Sequence, residues 1–341
     1  MFKKVLIIIL FAIIGAVLLG GLYFWNQIGL PVSGNEEEVV FNIKDGESVK
    51  EIGVNLEAVE LIRSAYWFEV YVFFDGSQSN FIAGDYLLGK DSNIKEVVDI
   101  LTSGQVADEQ VITIIEGWNS VEISDYLAEQ GVVEKNDFLK AVATKDSRRL
   151  IPDKIYNLLV DKPAEQDLEG YLFPDTYRIY EDATSVDIIK KMLDNFEIKF
   201  TDQMKQDVEA GNMSIYEIIT LASIIEKEVR TDTDRKIAAG IFYDRMNLGV
   251  ALQSDATVNY VTGKQALQPS SEDLKVDNLY NTYKYKGLPP GPICNPALSA
   301  IMAAIYPEKS EYFYFLTKPD GSTVFSKTYD EHLENKRKYL Q

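Results

Sequence analysis

An α+β protein held at a membrane by a single N-terminal transmembrane helix is the architecture that this sequence predicts. Three observations carry it. Val5–Trp25 is an uncharged apolar run, residues 41–68 and 112–139 share one strand–turn–helix pattern, and beyond Lys162-Pro163 amphipathic helices alternate with short polar and aromatic segments. The expected divisions are 1–4 as a cytoplasmic end, 5–25 as the membrane helix and 26–38 as a linker. Residues 39–108 and 109–165 follow as two small α+β modules, and 166–341 as a larger mixed α+β domain.

The first element is VLIIILFAIIGAVLLGGLYFW, long enough as a helix to cross a bilayer. Lys3 and Lys4 precede it and Glu36, Glu37 and Glu38 follow it, which keeps the N-terminus in the cytoplasm and places the rest of the chain outside. Tyr23, Phe24 and Trp25 fall where an interfacial aromatic belt belongs. A cleaved signal peptide is the competing expectation, but the run exceeds a usual h-region and no clear A-x-A site follows it.

Composition narrows the function classes. With 53 acidic against 34 basic residues, the net charge of −19 argues against a surface for nucleic acid. The 46% hydrophobic content is ample for more than one core. Cys294 is the only cysteine and His332 the only histidine, which excludes an internal disulfide framework and Cys- or His-rich metal sites. No metal and no cofactor are expected.

The two modules come from a weak internal repeat. At a shift of 71 residues, Ile43, Gly46, Ile52 and Leu56 match Ile114, Gly117, Ile123 and Leu127. Each copy reads as a short strand, a turn at Gly and an amphipathic helix. Between the copies, residues 83–87 read as a strand and 92–101 as a helix capped by Ser92. This order resembles LysM-like modules, which grip the sugar backbone of cell-wall glycans. A spacer that lifts the larger domain off the membrane accounts for the same residues.

Within that domain, SIYEIITLASIIEKEVR (214–230) is the most informative stretch. Ser214 and Glu217 have capping-box spacing. Ile215, Ile219, Ala222 and Glu226 line up on an apolar face, whereas Glu217 and Glu228 are expected to point away from it. A carboxyl facing apolar surroundings loses hydration and its pKa rises, as suits a general acid. The alternative is a helix-edge Glu226 whose stem covers the core while its head reaches water.

LEGYLFPDTY, LASIIEKE, LQSDATVNY, YNTY, GLPPGPICNPA and FSKTYDEH resemble, in the same order, the motifs of the endolytic murein transglycosylases, the MltG or YceG-like family. The matches run from Leu168 to His332, and the anchor and LysM-like region fit as well. Two positions depart from the family pattern: Thr323 stands where a His is usual, and Ala297 where a Gly is usual. The resemblance implies a bacterial cytoplasmic-membrane enzyme with an external catalytic domain at 166–341. Its substrate would be peptidoglycan glycan strands, with MurNAc-β-1,4-GlcNAc bonds cleaved to 1,6-anhydroMurNAc ends. It also implies Glu226 as the catalytic residue and peptidoglycan synthases as candidate partners.

Gln253, Ser254, Asp255, Thr257, Asn281, Thr282 and Tyr283 are the expected sugar-binding groups, since amides, hydroxyls and phenols suit sugar hydroxyls and faces. Asp255 serves equally well as a helix N-cap. Glu169 is a secondary catalytic candidate and equally a turn residue. His332 lies in a polar C-terminal helix, and no nucleophile elbow accompanies it. Two other function classes stay open: a hydrolytic muramidase using water and a second acid, and a non-catalytic peptidoglycan-binding anchor.

Overall fold

The structure, a computed structural model, describes residues 20–21, 23–33, 38–103, 109–152, 154–264 and 268–340. The membrane helix expected over residues 5–25 lies for the most part outside these. Among the described residues, no helix is long and apolar enough to cross a membrane. The chain divides into two compact units, Met1–Glu109 and Gln110–Gln341.

In the first unit the order is β1 (Glu38–Ile43), α1 (Val49–Ala58), α2 (Ala65–Asp75), β2 (Gly84–Gly89) and α3 (Ile94–Ser103). β1 and β2 pair antiparallel, with Phe41 opposite Tyr86 and Val39 opposite Leu88. Phe41, Ile43, Tyr86 and Leu88 face inward at period two onto Ile52, Leu56, Phe68 and Leu101. The cap of α3 is Asn93 rather than Ser92: its Oδ1 accepts the Glu96 N–H, and Glu96 accepts the Asn93 N–H in return.

The second unit opens with β3 (Glu109–Thr113), α4 (Ser120–Glu129), α5 (Lys135–Val142) and the short α6 (Ser147–Leu150). β4 (Thr176–Tyr180), α7 (Ser185–Lys199), α8 (Asp202–Ala210), α9 (Ile215–Glu228), α10 (Asp232–Asn247) and α11 (Asp255–Thr262) come next. It closes with α12 (Leu298–Ile305), β5 (Tyr314–Thr317), β6 (Thr323–Ser326) and α13 (Tyr329–Tyr339). β3 pairs with β4, more than sixty residues along the chain, and β5 forms an antiparallel hairpin with β6. Ile123, Leu127, Phe138 and Val142 belong to the same hydrophobic core as Ile219, Ala222 and Ala300. Residues 110–165 are therefore part of the larger unit, not a body of their own. A sequence repeat cannot reveal this, because the pairing partner of β3 lies outside the repeat.

Both copies of the repeat do have the expected local form. Gly46 (φ +77°) and Gly117 (φ +78°) make left-handed turns, and reciprocal capping boxes, Ser48–Glu51 and Asn119–Glu122, start the helices that follow.

α9 is the centre of the second unit. Its start is doubly capped. Ser214 and Glu217 form the expected box, and the Asp161 carboxylate accepts the Ile215 N–H at 2.5 Å and the Tyr216 N–H at 3.3 Å. Every residue from Ile218 to Ile225 is buried, and α8, α10, α11 and α12 pack around the helix.

Candidate active site

α9 carries two glutamates in its last turn, and their surroundings differ. The Pro-rich loop 287–297 is laced along one side of the helix. Tyr216 donates its hydroxyl to the Pro290 carbonyl at 2.8 Å, and Ser223 Oγ accepts the Ile293 N–H at 3.0 Å. Cys294 donates to the Ser223 carbonyl, and Glu226 Oε2 accepts the Ala297 N–H at 3.0 Å. Glu226 is the last rung of this series. Its Oε1 accepts Arg235 Nη2 from α10 at 2.7 Å, in an ion pair whose arginine and glutamate side chains are 8% and 7% exposed. Arg235 also reaches Ser299 in α12. Burial raises the Glu226 carboxyl above its ordinary range; the Arg235 guanidinium and the Ala297 N–H pull it back.

Glu228, two residues on, is turned by about 200° around the helix. Its Oε1 accepts the Ser254 hydroxyl, and the Ala256 N–H at the start of α11 also reaches the carboxyl. Burial pushes this group up to about 7, and the neighbouring Asp255 adds to the rise. Ser254, Ala256 and Arg245 oppose it. Backbone around it is held from a later segment of chain, since Thr317 Oγ1 donates to the Glu228 carbonyl at 2.6 Å.

The residues expected to bind sugar gather around Glu228, not around Glu226. LQSDAT and YNTY are interlocked. Gln253 donates its N–H to the Thr282 carbonyl at 3.0 Å, Ser254 N–H donates to Thr282 Oγ1 at 3.0 Å, and the hydroxyls of Thr257 and Thr282 lie 2.9 Å apart. Thr257 and Thr282 are buried and occupied with each other. Asn281 is also buried, and its amide donates to the carbonyls of Leu274 and Val276 at 3.0 and 2.9 Å. These three hold the loops; they are not free to meet a ligand. Gln253, Asp255 and Tyr283 keep exposed surface beside Glu228. Gln253 has φ +54°, a conformation disfavoured for a side-chain-bearing residue and enriched at functional sites. Asp255 is the first residue of α11 after the N-cap Ser254, and it accepts the Tyr283 hydroxyl at 2.5 Å.

Glu169 is fully enclosed. It accepts the Ser120 N–H at 2.9 Å, the Ser120 hydroxyl and the Asn295 amide at 2.9 Å, and burial pushes it up to about 7. Asn295 in turn accepts the Leu172 N–H at 2.9 Å and donates to the Trp118 carbonyl at 3.0 Å. The pair ties three segments together away from solvent. His332 stacks on Tyr314 with centroids 5.4 Å apart, and burial with Lys336 and Arg245 holds its imidazole below the usual range.

A cavity of about 640 Å³ opens at the end of α9 on the Glu226 side. Glu116, Asp175, Val229, Arg230 and Arg235 are among its lining residues.

The chain matches a known group of proteins in sequence and fold. A model described as the YceG-like family covers residues 41–338. The chain belongs to this family. An endolytic murein transglycosylase of Bacillus subtilis (strain 168) is 35% identical over 333 residues, which is 95% of this chain and 91% of that one. A second, from Streptococcus pneumoniae serotype 2 (strain D39 / NCTC 7466), is 30% identical over 354 residues, covering 96% of this chain and 64% of the other. Among solved structures, a yceG-like protein of Listeria monocytogenes superposes with TM-score 0.60 at 34% identity, covering 88% of this chain and all of that one.

Three functional candidates do not stand out from the sequence pattern: Glu228, Arg235 and Arg245. Periodicity separates a core face from a solvent face. α9 is buried on every side from Ile218 to Ile225, so that reasoning has no purchase on which glutamate of the last turn faces chemistry. LQSDAT and YNTY come together beside Glu228 only on folding, so their spacing in the chain carries no signal of it.

Proposed function

We propose that this YceG-like protein is a membrane-anchored lytic transglycosylase that cuts MurNAc-β-1,4-GlcNAc bonds within peptidoglycan strands and leaves 1,6-anhydroMurNAc ends. The family and the names of the relatives support the substrate class. One observation carries the choice of acid: Glu228 accepts the Ser254 hydroxyl beside the exposed Gln253 and the part-buried Asp255 and Tyr283, and burial pushes its carboxyl up to about 7. We assign Glu228 as that acid in place of Glu226.

In the proposed reaction the Glu228 carboxyl gives its proton to the glycosidic oxygen as the bond from MurNAc C1 breaks. The leaving GlcNAc takes that proton as its 4-hydroxyl. Positive charge develops at C1, and the Glu228 carboxylate then accepts the proton of the MurNAc 6-hydroxyl while O6 bonds to C1. Glu228 ends protonated, as it began. The nucleophile belongs to the substrate, so the paired carboxylates of ordinary glycosidases are not required. A pKa near the working pH suits a group that must both give and take. Ser254 and the Ala256 N–H orient the carboxyl and stabilise its ionised form between the two steps.

Glu226 is the second reading, favoured by the cavity beside it. Against it stands the ion pair with Arg235, which opposes the rise that burial causes and, with the Ala297 N–H, laces the group to the loop. Muropeptide mass spectrometry on peptidoglycan treated with wild type, Glu228→Gln and Glu226→Gln separates the readings. Glu228→Gln is expected to abolish anhydro products, whereas Glu226→Gln retains them at reduced yield. Full activity of Glu228→Gln sinks the assignment. Reducing ends in place of anhydro ends would make the protein a hydrolytic muramidase, with Asp255 the adjacent second acid.

The apolar run Val5–Trp25 and the charges flanking it support anchoring with the N-terminus in the cytoplasm. The β–α–α–β order of β1, α1, α2 and β2 supports the LysM-like reading of the first unit, with glycan as its ligand. Synthases of new glycan are the partners this location favours.

A further inference from the structure

Six of the eleven residues of α2 (AYWFEVYVFFD) are aromatic, more than one small core can enclose. Ala65, Phe68 and Val72 face that core. On the outer side Tyr66, Phe73 and Phe74 are 64%, 66% and 78% exposed. At 100° per residue, Tyr66, Val70 and Phe73 form one stripe, about 10 Å long. With Val49, Glu69, Phe74 and Gln78 this stripe borders a shallow cavity of about 330 Å³. An exposed apolar patch of this kind marks a surface that something covers.

The same unit shows where that surface stands. The Trp67 ring lies 5.8 Å from Tyr23 and 5.6 Å from Phe24, and Tyr66 lies 5.1 Å from Trp67. Tyr23 and Phe24 stand at the end of the apolar run that begins at Val5, and the exposed Trp25 closes it. If that run spans the bilayer, its aromatic end lies at headgroup level. Rings packed against that end, and the stripe continuing from them, then lie within one or two helical turns of the same level.

We infer that the outer face of α2 rests in the headgroup region of the lipid bilayer, with Tyr66, Phe73 and Phe74 as interfacial rings beside the anchor. The contact is apolar and aromatic in kind. At a net charge of −19 the chain has no general attraction to anionic lipid, and Glu69 is the charged group bordering the cavity. The face would add to the packing of Trp67 on Tyr23 and Phe24 in holding the first unit against the membrane. The inference rests on the anchor proposed above, and its test reports on each separately.

The full-length protein is reconstituted into phosphatidylcholine–phosphatidylglycerol nanodiscs, with a fluorescent probe at Trp25→Cys or, separately, at Phe73→Cys. Cys294 is fully buried, and the parent chain carried through labelling measures any reaction there. Lipids bearing a nitroxide near the headgroup are expected to quench both probes several-fold over nitroxide-free discs. Quenching at 25 without quenching at 73 overturns the α2 contact and leaves the anchor standing. The contact is equally overturned by a probe at 73 that is shielded from aqueous iodide yet untouched by lipid, which would mean a protein or glycan covers the face. Quenching at neither position removes the anchor, and the inference with it.

Discussion

Glu226 and Glu228 illustrate how two identical side chains, two positions apart, acquire different chemistry from their neighbours. Glu226 meets a guanidinium and a backbone N–H at the start of α12, and both favour its charge. Glu228 meets a hydroxyl and a backbone N–H, with Asp255 close by and Arg245 opposing. Its pKa of about 7 makes a testable statement about pH. In the proposed reaction the group must be protonated at the outset, so kcat/KM for glycan cleavage is expected to be level below pH 7 and to fall tenfold per unit well above it. Replacing Ser254 by Ala removes a donor that favours the ionised form. The alkaline limb should therefore move to higher pH in Ser254→Ala, and a limb that stays in place would show that another group sets it.

Elements bring these residues together by unequal means. α9 is held at its start by Asp161, along one side by the Pro-rich loop, and at its end by Thr317. Gly170 shows how closely the parts fit. It has φ +87°, and a Cβ there would lie 2.5 Å from the Pro292 ring. Glu169, its neighbour, joins the start of α4 to the 292–297 loop through Ser120 and Asn295. These contacts suit a structural role. Glu169→Gln puts an amide N–H where donors already converge, and it is expected to cost about 1–3 kcal/mol in denaturant unfolding of the whole chain. Cleavage per folded molecule should be unchanged; a loss of turnover in well-folded protein would restore Glu169 as a catalytic candidate. The pH dependence follows with a definite sign. An unfolded carboxyl ionises near ~4.3, whereas the folded Glu169 holds its proton to about 7. Its contribution to stability is complete below ~4.3 and is lost as pH rises through 7. Glu169→Gln should flatten that decline.

Much of this level is legible in the sequence. The capping boxes of α4 and α9 and the glycine turns at 46 and 117 follow from local chemistry, which residue spacing records. The β3–β4 pairing and the Glu169–Asn295 tie are not. Each joins residues more than sixty positions apart through backbone groups or a single amide, and neither leaves a periodic trace. The candidate site divides the same way. Gln253, Ser254, Asp255 and Tyr283 stand out as residue types; that Thr257, Asn281 and Thr282 are spent on holding loops depends on which groups fold beside them.

At the scale of the whole molecule the proposed anchor and the proposed chemistry limit one another. A tethered enzyme meets glycan only within reach of its membrane, and strands are newest where they leave the synthases. Tethering also raises the local concentration of enzyme over such strands, an intramolecular advantage that depends on linker length. Exchanging the anchor for a cleavable signal peptide, with residues 26–341 released outside, removes this restriction while leaving the proposed acid and its neighbours intact. The released form should cut purified peptidoglycan at the wild-type rate. In cells that lack the tethered protein, it should leave glycan strands whose length distribution differs from wild type, measured by chromatography of strands after amidase treatment. Equal distributions would mean that position at the membrane does not govern where the enzyme cuts. Strand length would then have to be set by the substrate groove itself, and the anchor would serve only to retain the protein.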